Sequence, residues 1–194
     1  MEEVREVGTE IKVITIRKPA DVFGSRVSPP VLGETVSLFG SPIFPLKVIQ
    51  VREFRQERSY SSSLTKMGCT ISEIARGVIS YLDEVPPRRI IRESIYLLVL
   101  PRGFFGDRTS TRILGLLRKT QFVHLCSQDA APLLGFAYAN AQPYGEGLVI
   151  VHEPINGHRG FLTIENTCAG ARILGTVSGS LPDQMRPVVA FDPC

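Results

Sequence analysis

Between residues 70 and 152 the chain alternates two hydrophobic periods, and this limits its possible folds more than any single motif does. Ile71, Ile74, Ala75, Val78 and Ile79 recur at helical spacing behind a Thr70/Glu73 capping box, and Pro86-Pro87 follows. Arg89–Leu100 (RIIRESIYLLVL) is rich in branched side chains and predicts a central strand. Pro101–Thr111 reads as a loop. Arg112–Lys119 predicts a short helix with a basic end, where the helix dipole favours cations. Gln121–Cys126 predicts a buried strand, and Leu133–Ala141 with Leu148–His152 predict a hairpin around QPYGEG. The order β-α-β-α-β-β implies an α/β (α+β) fold, a mixed β-sheet with flanking helices. After Pro154 two readings stand: two glycines weaken a helix, and Phe161–Glu165 alternates as a strand.

The first 65 residues carry other signals. Ile11–Arg17 and Leu46–Phe54 alternate as half-buried strands, with loop-rich sequence between them. Polar Gln56–Lys66 (QERSYSSSLTK) is the best linker candidate. The expected organisation is a β-rich N-terminal extension over 1–65 and a compact α/β domain over 66–194.

Composition removes several function classes. With 43% hydrophobic and 21% charged residues the chain is globular. Its longest apolar run, Ser94–Leu100, is strand-sized, far from the ~20 residues of a membrane span. The N-terminal MEEVREVGTEIKV is acidic and polar, unlike a secretory signal, so the expected location is cytoplasmic with no membrane partner. A net charge of +3, with basic clusters interleaved by acids, makes nucleic acid an unlikely partner. Seventeen Arg against five Lys, three Asn and fourteen Pro suit a hot-living source.

The residues able to do chemistry are sparse. Cys69, Cys126, Cys168 and Cys194 contain no CxxC or CxxH pair, which argues for buried thiols. His124 and Cys126 share a strand face and, with His152 on a neighbouring strand, form a candidate soft-metal set; core packing is the favoured reading. The loop Arg102–Arg108 before a helix is a candidate phosphate cradle of the kind that holds coenzyme A in acyltransferases. It lacks P-loop spacing, and Asp107 at the helix start opposes the role. No G-x-S-x-G elbow occurs.

Segments of residues 70–194 together resemble the archaemetzincins, small zinc peptidases. Arg102-Gly103-Phe104-Phe105 stands before a helix. Asp129 and Pro132 precede Leu134-Gly135-Phe136-Ala137-Tyr138-Ala139-Asn140-Ala141, which is similar to the family's L-N-F-V-F-G-x-A segment. Val149-Ile150-Val151-His152 stands where its V-V-S strand would end, Val177-Ser178-Gly179-Ser180-Leu181 resembles its F-S-N-S-L, and Cys194 falls near its last cysteine. The departures fall on the chemistry. Counting back from Cys168, the three zinc histidines would be Gly157, Phe161 and Thr167, and the general-base glutamate would be His158. Ile173 replaces a ligand of the second zinc site.

The resemblance therefore implies a zincin-like frame without catalytic residues: a pseudo-peptidase holding an extended peptide or protein partner in a vestigial cleft. That cleft would lie along an edge strand lined by Leu148, Ile150, His152, His158 and Phe161. No cofactor is expected. Zinc is retained only for an altered site of Cys168, Cys194 and His158, and with it an altered peptidase. The alternative of another class is an acyltransferase-like enzyme using the 102–108 loop.

Overall fold

A computed structural model describes residues 13–16, 19–21, 35–38, 41–42, 46–51, 59–85, 95–106, 108–119 and 123–191. The expectations for 11–12, 17, 52–54, 86–94, 107, 121–122 and 194 lie outside the described residues. The N-terminal part supplies β1 (Val13–Ile16), β2 (Pro19–Asp21), β3 (Thr35–Leu38), β4 (Ser41–Pro42) and β5 (Leu46–Val51). Then come α1 (Tyr60–Lys66), β6 (Cys69–Ile71), α2 (Glu73–Glu84), β7 (Ile95–Val99) and α3 (Ser110–Leu117). The last third adds β8 (Val123–His124), α4 (Ala130–Ala137), β9 (Glu146–Ile150), β10 (Phe161–Asn166), β11 (Arg172–Val177) and β12 (Met185–Phe191). The fold is mixed α/β. One nine-stranded mixed sheet runs β1-β5-β7-β12-β9-β10-β11-β6, with β8 paired beside β12, and β2-β3-β4 form a small separate sheet.

Both faces of the large sheet are covered, so its central strands read as continuous apolar runs. On one face Val99, Leu148, Ile150, Leu162, Ile164 and Leu174 pack against α1, α2 and α4. On the other, Leu98, Val149, Val151, Phe161 and Val189 meet α3 and Phe105. Among the described residues no helix is long and apolar enough to cross a membrane.

Three local expectations are corrected. The predicted linker holds helix α1. Ser59 Oγ accepts from the Ser62 N–H at 3.2 Å, and the Asp83 carboxylate accepts from the N–H groups of Tyr60 at 2.6 Å and Ser61 at 3.4 Å. A polar serine run becomes helical because its unpaired amides meet acceptors. The capping box at Thr70 gives way to Ser72, whose Oγ accepts from the Ala75 N–H at 3.3 Å, while Thr70 joins β6. Leu133–Ala137, expected in a hairpin strand, is helical in α4; small and apolar throughout, it suits a helix buried between neighbours.

Two strands from the first 65 residues, β1 and β5, belong to the large sheet. β5 pairs antiparallel with β7 from Lys47↔Val99 to Val51↔Ile95, and β1 pairs with β5. Leu64 of α1 is fully buried, and a Cβ on Gly135 would fall 2.9 Å from its Cδ2. Deleting residues 1–65 is expected to yield aggregated or molten protein by near-ultraviolet circular dichroism, because it bares β7 and removes Leu64. Leu64→Ala in the full chain is expected to lower unfolding free energy by about 2–5 kcal/mol in urea titration.

Candidate functional site

Of the residues singled out for chemistry, Cys126, His152, His158 and Phe161 lie where β9 turns into β10. β9 runs on through Val151, whose N–H donates to Val188 O at 2.9 Å and whose carbonyl accepts from the Cys126 N–H at 2.8 Å. His152 then bridges to Cys126, and the chain reverses over Asn156-Gly157 between bridge partners Ile155 and His158. Phe161 begins the return strand.

His152 is 1% exposed, and a buried imidazole is tolerable only if its nitrogens are satisfied. The Leu162 N–H donates to Nε2 at 2.9 Å, so the proton sits on Nδ1, which lies 2.7 Å from Glu153 O and donates to it. The ring stands edge-on to Phe161 at 5.9 Å. Burial lowers its pKa below the ordinary 6.5, His158 adds to this, and the Glu153 carbonyl opposes it. His152 is thus a neutral latch joining the two arms of the hairpin. His158 is half-buried, with its Nε2 enclosed near Gly160, where an added Cβ would fall 2.7 Å from it and 2.5 Å from Val177 O.

The candidate metal sets do not assemble. The Cys126 Sγ–H points to Val188 O at 3.4 Å, and burial pushes the thiol far above its usual range, away from the thiolate a metal needs. Both ring nitrogens of His152 are already engaged. His158 and Cys168 lie beyond opposite ends of six-residue β10, a strand about 17 Å long at ~3.3 Å per residue. Metal bonds of about 2.0–2.3 Å cannot span that gap, so Cys168 and His158 do not share an ion in this fold. Cys194 lies outside the described residues. Among the described residues no three of His, Cys, Asp and Glu come close enough to hold an ion.

The expected peptide cleft is corrected as well. β9 is an interior strand, flanked by β12 and β10, so its backbone offers no edge. Leu148 and Ile150 are fully buried and Phe161 is 2% exposed. Residues 157–168 form a turn, strand β10 and the start of the next turn, whereas a zinc motif of the HExxH kind needs its histidines one helical turn apart. Thr167 closes the β10–β11 turn by accepting the Ala171 N–H on Oγ1 at 3.0 Å.

At the 102–108 loop, Gly103 takes φ 69° and the Phe104 N–H donates to Pro101 O at 3.3 Å. A water-sized apolar cleft separates Phe104, Phe105 and Arg108 from Leu181, Pro182 and Met185. The first turn of α3 faces Gly179, whose carbonyl accepts from Ser110 N–H at 2.8 Å and Ser110 Oγ at 3.0 Å. A protein carbonyl therefore stands where a phosphate oxygen would bind. Arg108 is paired with Asp183.

The sequence reading missed two features. One is a buried polar row: Glu146 and Asn166 are register partners, Asn166 Nδ2 donates to Gln142 O at 2.7 Å, and Arg186 reaches Glu146 at 3.4 Å. The glutamate opening EGLVI, in step with Leu148 and Ile150, was its only signal. The other is the sheet edge at β6, hidden in a segment that reads as a helix start.

No protein-family model matches this chain, and no curated protein or solved structure does.

The latch makes stability depend on pH. Unfolded, His152 titrates near 6.5; folded, it titrates lower. As pH falls through 6.5 the unfolded chain takes up a proton that the folded chain refuses. Stability is then lost, by about 1.4 kcal/mol for each pH unit crossed, until the folded value is reached. His152→Gln, which cannot titrate, is expected to flatten this component in urea titrations between about pH 7.5 and about pH 5. Identical slopes for the two proteins would refute the latch.

Proposed function

We propose that this chain is a non-catalytic binding protein that takes an extended peptide segment of a partner protein by strand addition. The resemblance of scattered segments to the archaemetzincins suggests the class, a pseudo-peptidase. Strand β10 runs where that family's zinc helix would lie, so the reading rests on the sheet edge and not on the zinc frame. The docking place differs from the cleft first expected: it is β6.

The observation that carries the reading is the distribution of exposed apolar side chains. Among the described residues the large exposed hydrophobics are Met67, Ile74 and Tyr144, and the first two bracket β6 at 39% and 62% exposure. Among the described residues β6 ends the sheet and pairs, parallel, with β11 alone. Ser72 N–H donates inward to Leu174 O at 2.9 Å, so alternation carries Thr70 the same way and turns the backbone of Cys69 and Ile71 outward. A short edge is a usual guard against unwanted pairing, and flanking apolar anchors restore affinity and select side chains. Nothing in such binding needs a metal.

The test is selection of random linear peptides displayed on phage against the full-length protein, then fluorescence polarisation with the selected sequences. Binding is expected to survive a chelator, to weaken by about tenfold or more in Ile74→Glu and Met67→Glu, and to be indifferent to coenzyme A. Peptides that bind both variants like the parent would remove β6 as the site. Loss of binding on chelation would revive a metal centre, and tight binding of coenzyme A would favour the acyltransferase-like alternative at the 102–108 loop.

A further inference from the structure

The three asparagines, Asn140, Asn156 and Asn166, occupy very different settings. Asn166 is buried, and its Nδ2 donates to Gln142 O at 2.7 Å. Asn140 is exposed beyond α4, its Oδ1 accepting from Arg172 Nη2 at 3.4 Å, and Ala141 follows it. Asn156 is exposed at the tip of the β9–β10 connection, with φ 44°, and Gly157 follows at φ 77°. Ile155 N–H donates to His158 O at 3.2 Å and His158 N–H to Ile155 O at 2.8 Å. Two left-handed residues between such a pair make a tight hairpin loop of the primed kind. Gly157 is exposed, and a Cβ built on it would meet no atom within 4 Å, so the turn stands open to water on that side.

We propose that Asn156 is a site of spontaneous deamidation built into this turn. Hydroxide takes the proton from the Gly157 backbone nitrogen, and the nitrogen attacks Asn156 Cγ. The bond from Cγ to the side-chain nitrogen breaks, and that nitrogen takes a proton from water and leaves as ammonia. One water then opens the five-membered imide at either carbonyl, giving aspartate or isoaspartate. No oxidant or reductant takes part. Glycine permits the attack because it has no Cβ beside the nucleophile, and asparagine is among the thermolabile residues.

The two products load the fold differently. Aspartate keeps the length of the main chain and tolerates the left-handed region. Isoaspartate routes the main chain through the side-chain carbons and adds one methylene to a two-residue loop. The paired hydrogen bonds of Ile155 and His158 are then lost. Ile155 is fully buried, so its displacement reaches the core.

The experiment holds the native full-length protein at mildly alkaline and mildly acidic pH and follows each asparagine peptide by liquid chromatography and mass spectrometry. The expected result is an amide-to-hydroxyl mass change at Asn156, resolved into two species. It should form several-fold faster at alkaline pH and several-fold faster than any change at Asn140, with Asn166 intact. An unconverted Asn156, or conversion no faster than at Asn140, would overturn the proposal. The isoaspartate form, separated by ion exchange, is expected to melt below Asn156→Asp, which carries the same charge. Equal melting would refute the structural consequence.

Discussion

Strand β12 is the last strand of the chain and the middle of the sheet, and the rest of the architecture depends on its pairing. β7 runs along one of its edges; β9 and then β8 run along the other. Val188 belongs to the core under α1, α2 and α4, and the next residue, Val189, to the core under α3. A slip of one residue would exchange the two faces, so register here decides both cores at once. Arg186 holds that register: its guanidinium donates to Leu100 O at 3.2 Å, to Val99 O at 3.4 Å and to Glu146 at 3.4 Å. A half-buried cation is tolerable there because carbonyls and a carboxylate replace its water. Among the described residues the strand sets β1-β5-β7 and β9-β10-β11-β6 are joined in the sheet through this strand.

What could be read in the sequence follows from where each signal originates. β7, β9, α2 and α3 were legible because their periodicity reflects burial of a face, which acts residue by residue. Strand β10 was half-legible: two glycines counted against a helix after Pro154, and alternation from Phe161 allowed a strand, while the turn at Asn156-Gly157 went unread. α1 was not legible, since its serines are poor helix formers and its start depends on Asp83, more than twenty residues away. α4 was misread because a short, uniformly apolar run carries no period to separate helix from strand. The sheet order, with β12 inserted between β7 and β9, leaves no local trace.

The candidate site shows the same division. Strand spacing put His124 and Cys126 on one face and offered His152 on a neighbouring strand; the structure makes His152 and Cys126 bridge partners. Their roles follow from groups with no sequence signature: the Leu162 amide, the Glu153 carbonyl and the Val188 carbonyl. Backbone atoms consume the donor and acceptor capacity that a metal or substrate would need. The same backbone explains why the third candidate, His158, is separated from Cys168. An aligned count of residues says nothing of distance, and a strand carries ten residues about twice as far as a helix does.

These constraints leave exposed apolar surface only to the margins of the sheet among the described residues. An interior strand of a two-faced sheet has its backbone groups paired and its side chains packed, so it can offer a partner neither hydrogen bonds nor surface. The largest exposed apolar side chains stand at β6 and at Tyr144 beside the β10–β11 turn, both at margins of the sheet. Met67 and Ile74 gain nothing for the folded monomer by their exposure. Each leaves apolar area in water that a polar residue could have covered, and side chains flanking an unpaired edge would usually be charged to prevent association. Their placement makes physical sense if the edge is covered by another chain for part of its working life. An edge of three residues supplies too few main-chain hydrogen bonds to hold a segment alone, so selectivity would rest on those two side chains.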